Sequence, residues 1–237
     1  MSLKYRYQRV NKITSAWNLH KIHPLITTYK IPRAFFESFK INIKLYISKA
    51  LRVKFDENDK IFIKNINKVR KNRTNVTPNG AVVPKREFHL EYNLVLRSWC
   101  DLVKQITKNN PKLLKLFRIT PNIRIKFGKE LADNKKRGLS TSHPHSDAWV
   151  EGPWGMNCFI PFFGDTKKNN LIYYEPKSLF NENFLKTSPT YTKMQWVTNY
   201  YKPIKKLNPK PGIVYISDYA SIHNTFRKKN SDTRVSI

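Results

Sequence analysis

A His-x-Asp element, His145-Ser146-Asp147, is followed far downstream by a second histidine, His223, and then by Arg234-Val235-Ser236. On a β-strand, residues two apart project from the same face, so His145 and Asp147 can approach one metal together while Ser146 turns away. His223 would close the site from another strand. Two imidazoles and one carboxylate on one side of an iron leave positions open for a cosubstrate and dioxygen, the ligand set associated with non-heme Fe(II) oxygenases. Arg234 and Ser236 can point the same way from a strand and grip a carboxylate, the guanidinium by its planar fork and the serine by its hydroxyl.

Other residues compete for these roles. His143 lies two positions before His145, but Pro144 removes a ladder donor and marks the start of a strand, which puts His143 at the loop end, on the pocket rim. His20, His23 and His89 have no ligand partners nearby in sequence and read as surface or structural residues. Asn157 opens the next strand and is placed to donate its amide to a cosubstrate. Trp149, Trp154 and Tyr173 are candidates to shape the pocket, although aromatic residues on strands more often pack.

Around the His-x-Asp element stand Met156-Asn-Cys-Phe-Ile-Pro-Phe-Phe-Gly-Asp165, Asn170-Leu-Ile-Tyr-Tyr-Glu-Pro176 and Pro211-Gly-Ile-Val-Tyr-Ile-Ser-Asp218. His-x-Asp, a Gly/Pro-containing loop into an apolar strand, Pro-Gly before another strand, and His followed by Arg-x-Ser occur here in one order. In this the C-terminal half resembles the Fe(II)/2-oxoglutarate-dependent dioxygenases, and within them the phytanoyl-CoA dioxygenase-like branch. The resemblance implies a mainly β fold with flanking α-helices, the double-stranded β-helix, a jelly-roll or cupin-like barrel. It implies Fe(II) held by His145, Asp147 and His223, with 2-oxoglutarate anchored by Arg234 and Ser236. It further implies consumption of O2, release of succinate and CO2, and hydroxylation of an unactivated C–H bond. Related halogenases replace the metal-binding carboxylate with a small residue, and Asp147 therefore favours hydroxylation. In that family the strand carrying Arg-x-Ser is usually followed by further chain, whereas here Ile237 is the last residue.

The elements that must position these residues follow from periodicity. Pro32 to Leu51 places apolar residues at three- and four-residue intervals and reads as a helix. Glu87 to Thr107 is the clearest helix, with Leu94, Trp99, Leu102, Val103 and Ile106 sharing a stripe that packs on the outside of the barrel. Asn72 to Ala81 collects turn residues around Asn79-Gly80 and reads as a surface loop. Asn122 to Phe127 alternates and reads as a strand, with Arg124 and Lys126 on one face, preferentially a solvated one because buried cations need partners. The basic loop from Gly128 to Gly138 leads into the metal motif and could serve as a lid. The expected organisation is a single oxygenase domain over 1–237, with a helical and irregular elaboration over 1–120 and the catalytic core over 121–237.

A chain of 237 residues with 40% hydrophobic composition can bury a substantial core. No stretch approaches the apolar length of a transmembrane helix and the beginning lacks a secretory core, so a cytoplasmic protein is expected. Cys100 and Cys158 belong to no Cys-x-x-Cys pattern and read as buried free thiols. The net charge of +29 should steer anions to the surface. The charge alone does not choose among anionic partners: with the resemblance it suits a small anionic substrate, and it leaves open a nucleic-acid-directed oxygenase, or a nonenzymatic nucleic-acid-binding protein on a barrel fold. Nucleic-acid binding would weaken steeply with salt.

Overall fold

The computed structural model describes residues 2–71, 74–115, 117–128, 139–152, 155–179 and 188–237. Its helices are α1 (Leu3–Ala16), α2 (Arg33–Leu51), α3 (Asp59–Lys68), α4 (His89–Ile106), α5 (Pro111–Leu114) and α6 (Ala148–Glu151). Its strands are β1 (His20–His23), β2 (Ile26–Lys30), β3 (Arg124–Lys126), β4 (Met156–Phe159), β5 (Pro161–Gly164), β6 (Asn169–Pro176), β7 (Tyr201–Pro203), β8 (Ile213–Asp218), β9 (His223–Arg227) and β10 (Arg234–Ser236). Helical residues outnumber strand residues, so the architecture is mixed helix and antiparallel sheet rather than mainly β. Three sheets are formed, in the orders β1-β2-β8-β4, β3-β10-β5 and β7-β6-β9. No closed barrel joins them among the described residues.

The N-terminal 120 residues, read above as helical and irregular, also supply β1 and β2. β2 runs antiparallel to β8 from Ile26 opposite Ser217 to Lys30 opposite Ile213. Helix α1 holds this end of the sheet through a buried charge cluster: Arg6 Nε donates to Asp218 Oδ1 at 2.8 Å, and Arg9 pairs with the other carboxylate oxygen.

Helix α2 forms where it was expected. It buries Phe36, Phe39, Ile43, Tyr46, Ile47 and Ala50 along one stripe, and ends where Arg52 turns left-handed at φ 55°. Helix α3 starts at Asn58, whose side chain caps the N–H groups of Lys60 and Ile61. In α4 the buried stripe is centred on Val95, with Trp99, Leu102, Val103 and Ile106, while Leu94 is half-buried. These helices pack with Ile125, Phe162, Phe163 and Val235 in one apolar core, which covers the outer face of the β3-β10-β5 sheet.

The inner face of that sheet departs from expectation. Lys126 is buried, and its Nζ donates to Thr141 Oγ1 at 2.7 Å, so the face bearing Arg124 and Lys126 looks inward rather than into solvent. The turn before β3 is also more than a surface loop. Ala81 bridges to Arg124, and Ile125 N–H donates to Gly80 O at 2.7 Å. Gly80 sits at φ +86°, and a Cβ there would lie 2.3 Å from Ile125 O, so close backbone approach and left-handed geometry both require glycine. Of the loop from Gly128 to Gly138 read as a lid, residues 129–138 lie outside the described residues, as does Trp154. Cys100 and Cys158 are free thiols, half-buried rather than buried.

Candidate metal centre

His223 opens β9 and pairs across the sheet with Tyr173 on β6. On its other side the backbone of His145 makes a two-way bridge with it, each N–H donating to the other's carbonyl at 2.9 Å. This local antiparallel contact sets the two imidazoles side by side, with ring centroids 4.4 Å apart. Asp147 does not share a strand with His145 as expected. The chain leaves extended geometry after the bridge, and Asp147 stands in helical backbone as the residue before α6. The turn still brings its carboxylate back to the imidazoles: Oδ1 is 4.0 Å from His145 Nε2 and Oδ2 is 3.6 Å from His223 Nε2.

One donor atom from each of the three residues lies within 4.8 Å of the others. Both Nδ1 atoms are used by the backbone, that of His145 facing His143 O at 2.8 Å and that of His223 facing Ser221 O at 3.1 Å. A carbonyl can only accept, so each Nδ1 carries a proton and each Nε2 is left to face Asp147. Burial, followed by the neighbouring charge of His223, holds the pKa of His145 well below that of a free imidazole, so this ligand atom is unprotonated at neutral pH. The three residues thus fit a divalent metal in residue type, orientation and separation. Donors about 2.1 Å from a common ion would stand about 3 Å apart, a modest side-chain rotation from the observed distances.

Asn157, on β4, donates Nδ2–H to Asp147 Oδ2 at 2.6 Å. Its amide is therefore directed at the carboxylate, and it orients Asp147 as outer-sphere partners of metal ligands do. Asn157→Ala is expected to weaken metal binding about 10- to 100-fold while leaving the melting temperature nearly unchanged, as read by metal titration and thermal unfolding.

Two aromatic walls complete the centre. Tyr191, which the sequence reading did not single out, stacks on His145 with centroids 4.3 Å apart and 25° between planes. Trp149 is fully buried behind Tyr191, from α6 rather than from a strand. The 3₁₀ segment Thr192–Tyr200 is tied back to the motif by Gln195, whose amide donates to Pro144 O at 2.8 Å. Tyr173 is buried beside His223 and hydrogen-bonded to Ser217. It packs in one apolar cluster with Phe159, the ring over which the Arg234 guanidinium lies, so Tyr173 neighbours both the triad and the residues around the arginine.

Arg234 and Ser236 project together from β10 and both are buried. The guanidinium lies 5.1 Å from the Phe159 ring centroid and donates one Nη1 hydrogen bond to Asn169 O at 3.2 Å. Its Nε and the Ser236 hydroxyl have no hydrogen-bond partner, and no carboxylate among the described residues pairs with Arg234. Burial lowers its pKa to about 9, with further lowering by Arg124 and Arg227, yet it remains protonated at neutral pH. A buried cation without a counter-ion, beside an unpaired hydroxyl, is a site shaped for an anion.

No protein-family model matches the chain. No curated protein matches its sequence either. Among solved structures it is similar to an N-substituted L-amino acid dioxygenase from Burkholderia ambifaria AMMD, at 9% identity and a TM-score of 0.37, over 97% of this chain and 85% of that one.

Proposed function

We propose that the protein is an Fe(II)- and 2-oxoglutarate-dependent oxygenase that hydroxylates a small, anionic molecule. The observation carrying this reading is a pair of adjacent half-sites. A two-histidine, one-carboxylate cluster has both Nε2 atoms turned toward the Asp147 carboxylate, and next to Phe159, which packs with Tyr173, a buried guanidinium Nε and hydroxyl have no hydrogen-bond partner. A molecule that chelates a metal at one end and carries a carboxylate at the other satisfies both.

In this reading His145, Asp147 and His223 hold the iron, and Arg234 with Ser236 holds the distal carboxylate of the cosubstrate. Asn157 keeps the Asp147 carboxylate turned inward, and Tyr191 fixes the His145 ring. Bound iron and 2-oxoglutarate together supply the power to oxidise an unactivated C–H bond with O2, giving succinate and CO2. The protein's own contribution is placement and exclusion of water. The reading stops at this class and assigns no branch within it.

Anaerobic titration with Fe(II) and 2-oxoglutarate tests it. A visible metal-to-ligand charge-transfer band that saturates with 2-oxoglutarate is the expected result. A folded protein that binds neither overturns the reading and brings salt-dependent nucleic-acid binding, suggested by the charge of +29, to the front.

A further inference from the structure

The sheet places a second guanidinium against the anion site. In the register of β3 and β10, Ser236 stands directly opposite Arg124, and Arg234 opposite Lys126. Directly opposed residues of an antiparallel pair share a face, with Cβ atoms about 5 Å apart, so Arg124, Ser236, Arg234 and Lys126 form one polar quartet. The reverse face carries Ile125 and Val235, both committed to the apolar core. Within the quartet Lys126 donates to Thr141. Arg124 is half-buried and, like Arg234, has no ion pair among the described residues. Its charge is close enough to lower the pKa of Arg234. Two guanidiniums on one sheet face repel unless an anion lies between them.

Arg124 is also presented rigidly. Val82 N–H donates to Ile123 O at 2.8 Å on one edge of β3, Gly80 O accepts from Ile125, and β10 pairs along the other edge. A side chain held by a strand paired on both sides suits fixed recognition better than one carried on a loop.

We propose that Arg124 and Arg234 form a two-guanidinium clamp on a single carboxylate, the distal carboxylate of the 2-oxoacid cosubstrate, with Ser236 as the third donor. This rests on the function proposed above. The clamp makes the site select dicarboxylic over monocarboxylic 2-oxoacids more strongly than one arginine would, because without the distal carboxylate the buried Arg234 stays desolvated and keeps the repulsion of Arg124.

The test is an anaerobic titration of the Fe(II)-loaded protein, Arg124→Gln and Arg124→Lys with 2-oxoglutarate and with 2-oxopentanoate, which has the same chain length and no distal carboxylate. Arg124→Gln should weaken 2-oxoglutarate about 10- to 100-fold, the worth of one charge-assisted contact. It should leave 2-oxopentanoate binding within about twofold of the parent, and Arg124→Lys should recover part of the loss. A parent band together with unchanged 2-oxoglutarate affinity in Arg124→Gln overturns the clamp alone, as do equal losses for both 2-oxoacids, which would mark a disturbed pocket. A parent protein that gives no band with either 2-oxoacid overturns the functional reading and the clamp with it.

Discussion

His145→Ala is expected to remove the charge-transfer band and to reduce 2-oxoglutarate-dependent succinate formation to background, with metal affinity falling by more than the roughly 100-fold typical of losing an outer-sphere partner. The expectation follows from how few donors the centre has. His145 and His223 are its imidazoles, and Asp147 is shared between them at 4.0 and 3.6 Å. Losing one imidazole leaves a bidentate site whose carboxylate faces one partner. The fold should survive, because the bridge between residues 145 and 223 is made by backbone N–H and carbonyl groups at 2.9 Å and does not need the ring. Some stability is lost with the stacking on Tyr191, and thermal unfolding will show it as a modest drop. The variant is informative for that reason: a cooperative melt with no metal binding separates chemistry from folding. Retention of the band in His145→Ala would place the metal elsewhere.

The residues proposed to carry this chemistry are legible because their order along the chain is unusual, not because their local structure is. The strand geometry inferred for His145-Ser146-Asp147 holds only at His145. Asp147 reaches the same point by a turn into α6, a four-residue helix too short for periodicity to reveal. Tyr191 escaped notice because it precedes a 3₁₀ segment, where no repeating pattern marks the inward face. Helix α1 was illegible for a different reason. It buries Leu3, Arg6 and Val10 at helical spacing, and the middle residue of that stripe is a cation. Only the fold supplies its partner, Asp218 on β8, more than two hundred positions away.

Lys126 shows the same limit from the other side. The rule that cations are seldom buried without a partner is sound, and the expectation fails because the partner, Thr141, stands 15 positions further along the sequence. Strands β1 and β2 were missed because β1 is polar and exposed and β2 mixes faces, so neither alternates cleanly. Their place is set by pairing with β8. By contrast, α2 is readable directly, and β6 and β8 coincide with segments that carry the resemblance. Their apolar pattern, and the Pro211-Gly212 turn before β8, are properties of contiguous residues.

Arg234→Met should move function and stability in opposite directions. Methionine approximates the length of the buried part of arginine and keeps contact with Phe159, over which the guanidinium now lies. In the protein without ligand, the substitution removes a fully buried cation that has one backbone hydrogen bond, an unpaired Nε and the repulsion of Arg124 and Arg227. Replacing buried charge by apolar volume is commonly neutral or stabilising by about 1–4 kcal/mol, so the melting temperature should equal or exceed that of the parent. The cosubstrate meets the opposite result. Its distal carboxylate loses a charged partner in a desolvated pocket, a loss of about 2–5 kcal/mol that corresponds to roughly 30- to several-thousand-fold weaker binding. Thermal unfolding with and without Fe(II) and 2-oxoglutarate reads both effects at once. The parent should gain stability as 2-oxoglutarate is raised, because a ligand that binds only the folded state shifts unfolding by mass action. Arg234→Met should start as high or higher and gain little. A parent and variant that respond equally to 2-oxoglutarate would mean that this buried guanidinium serves the fold and not the cosubstrate.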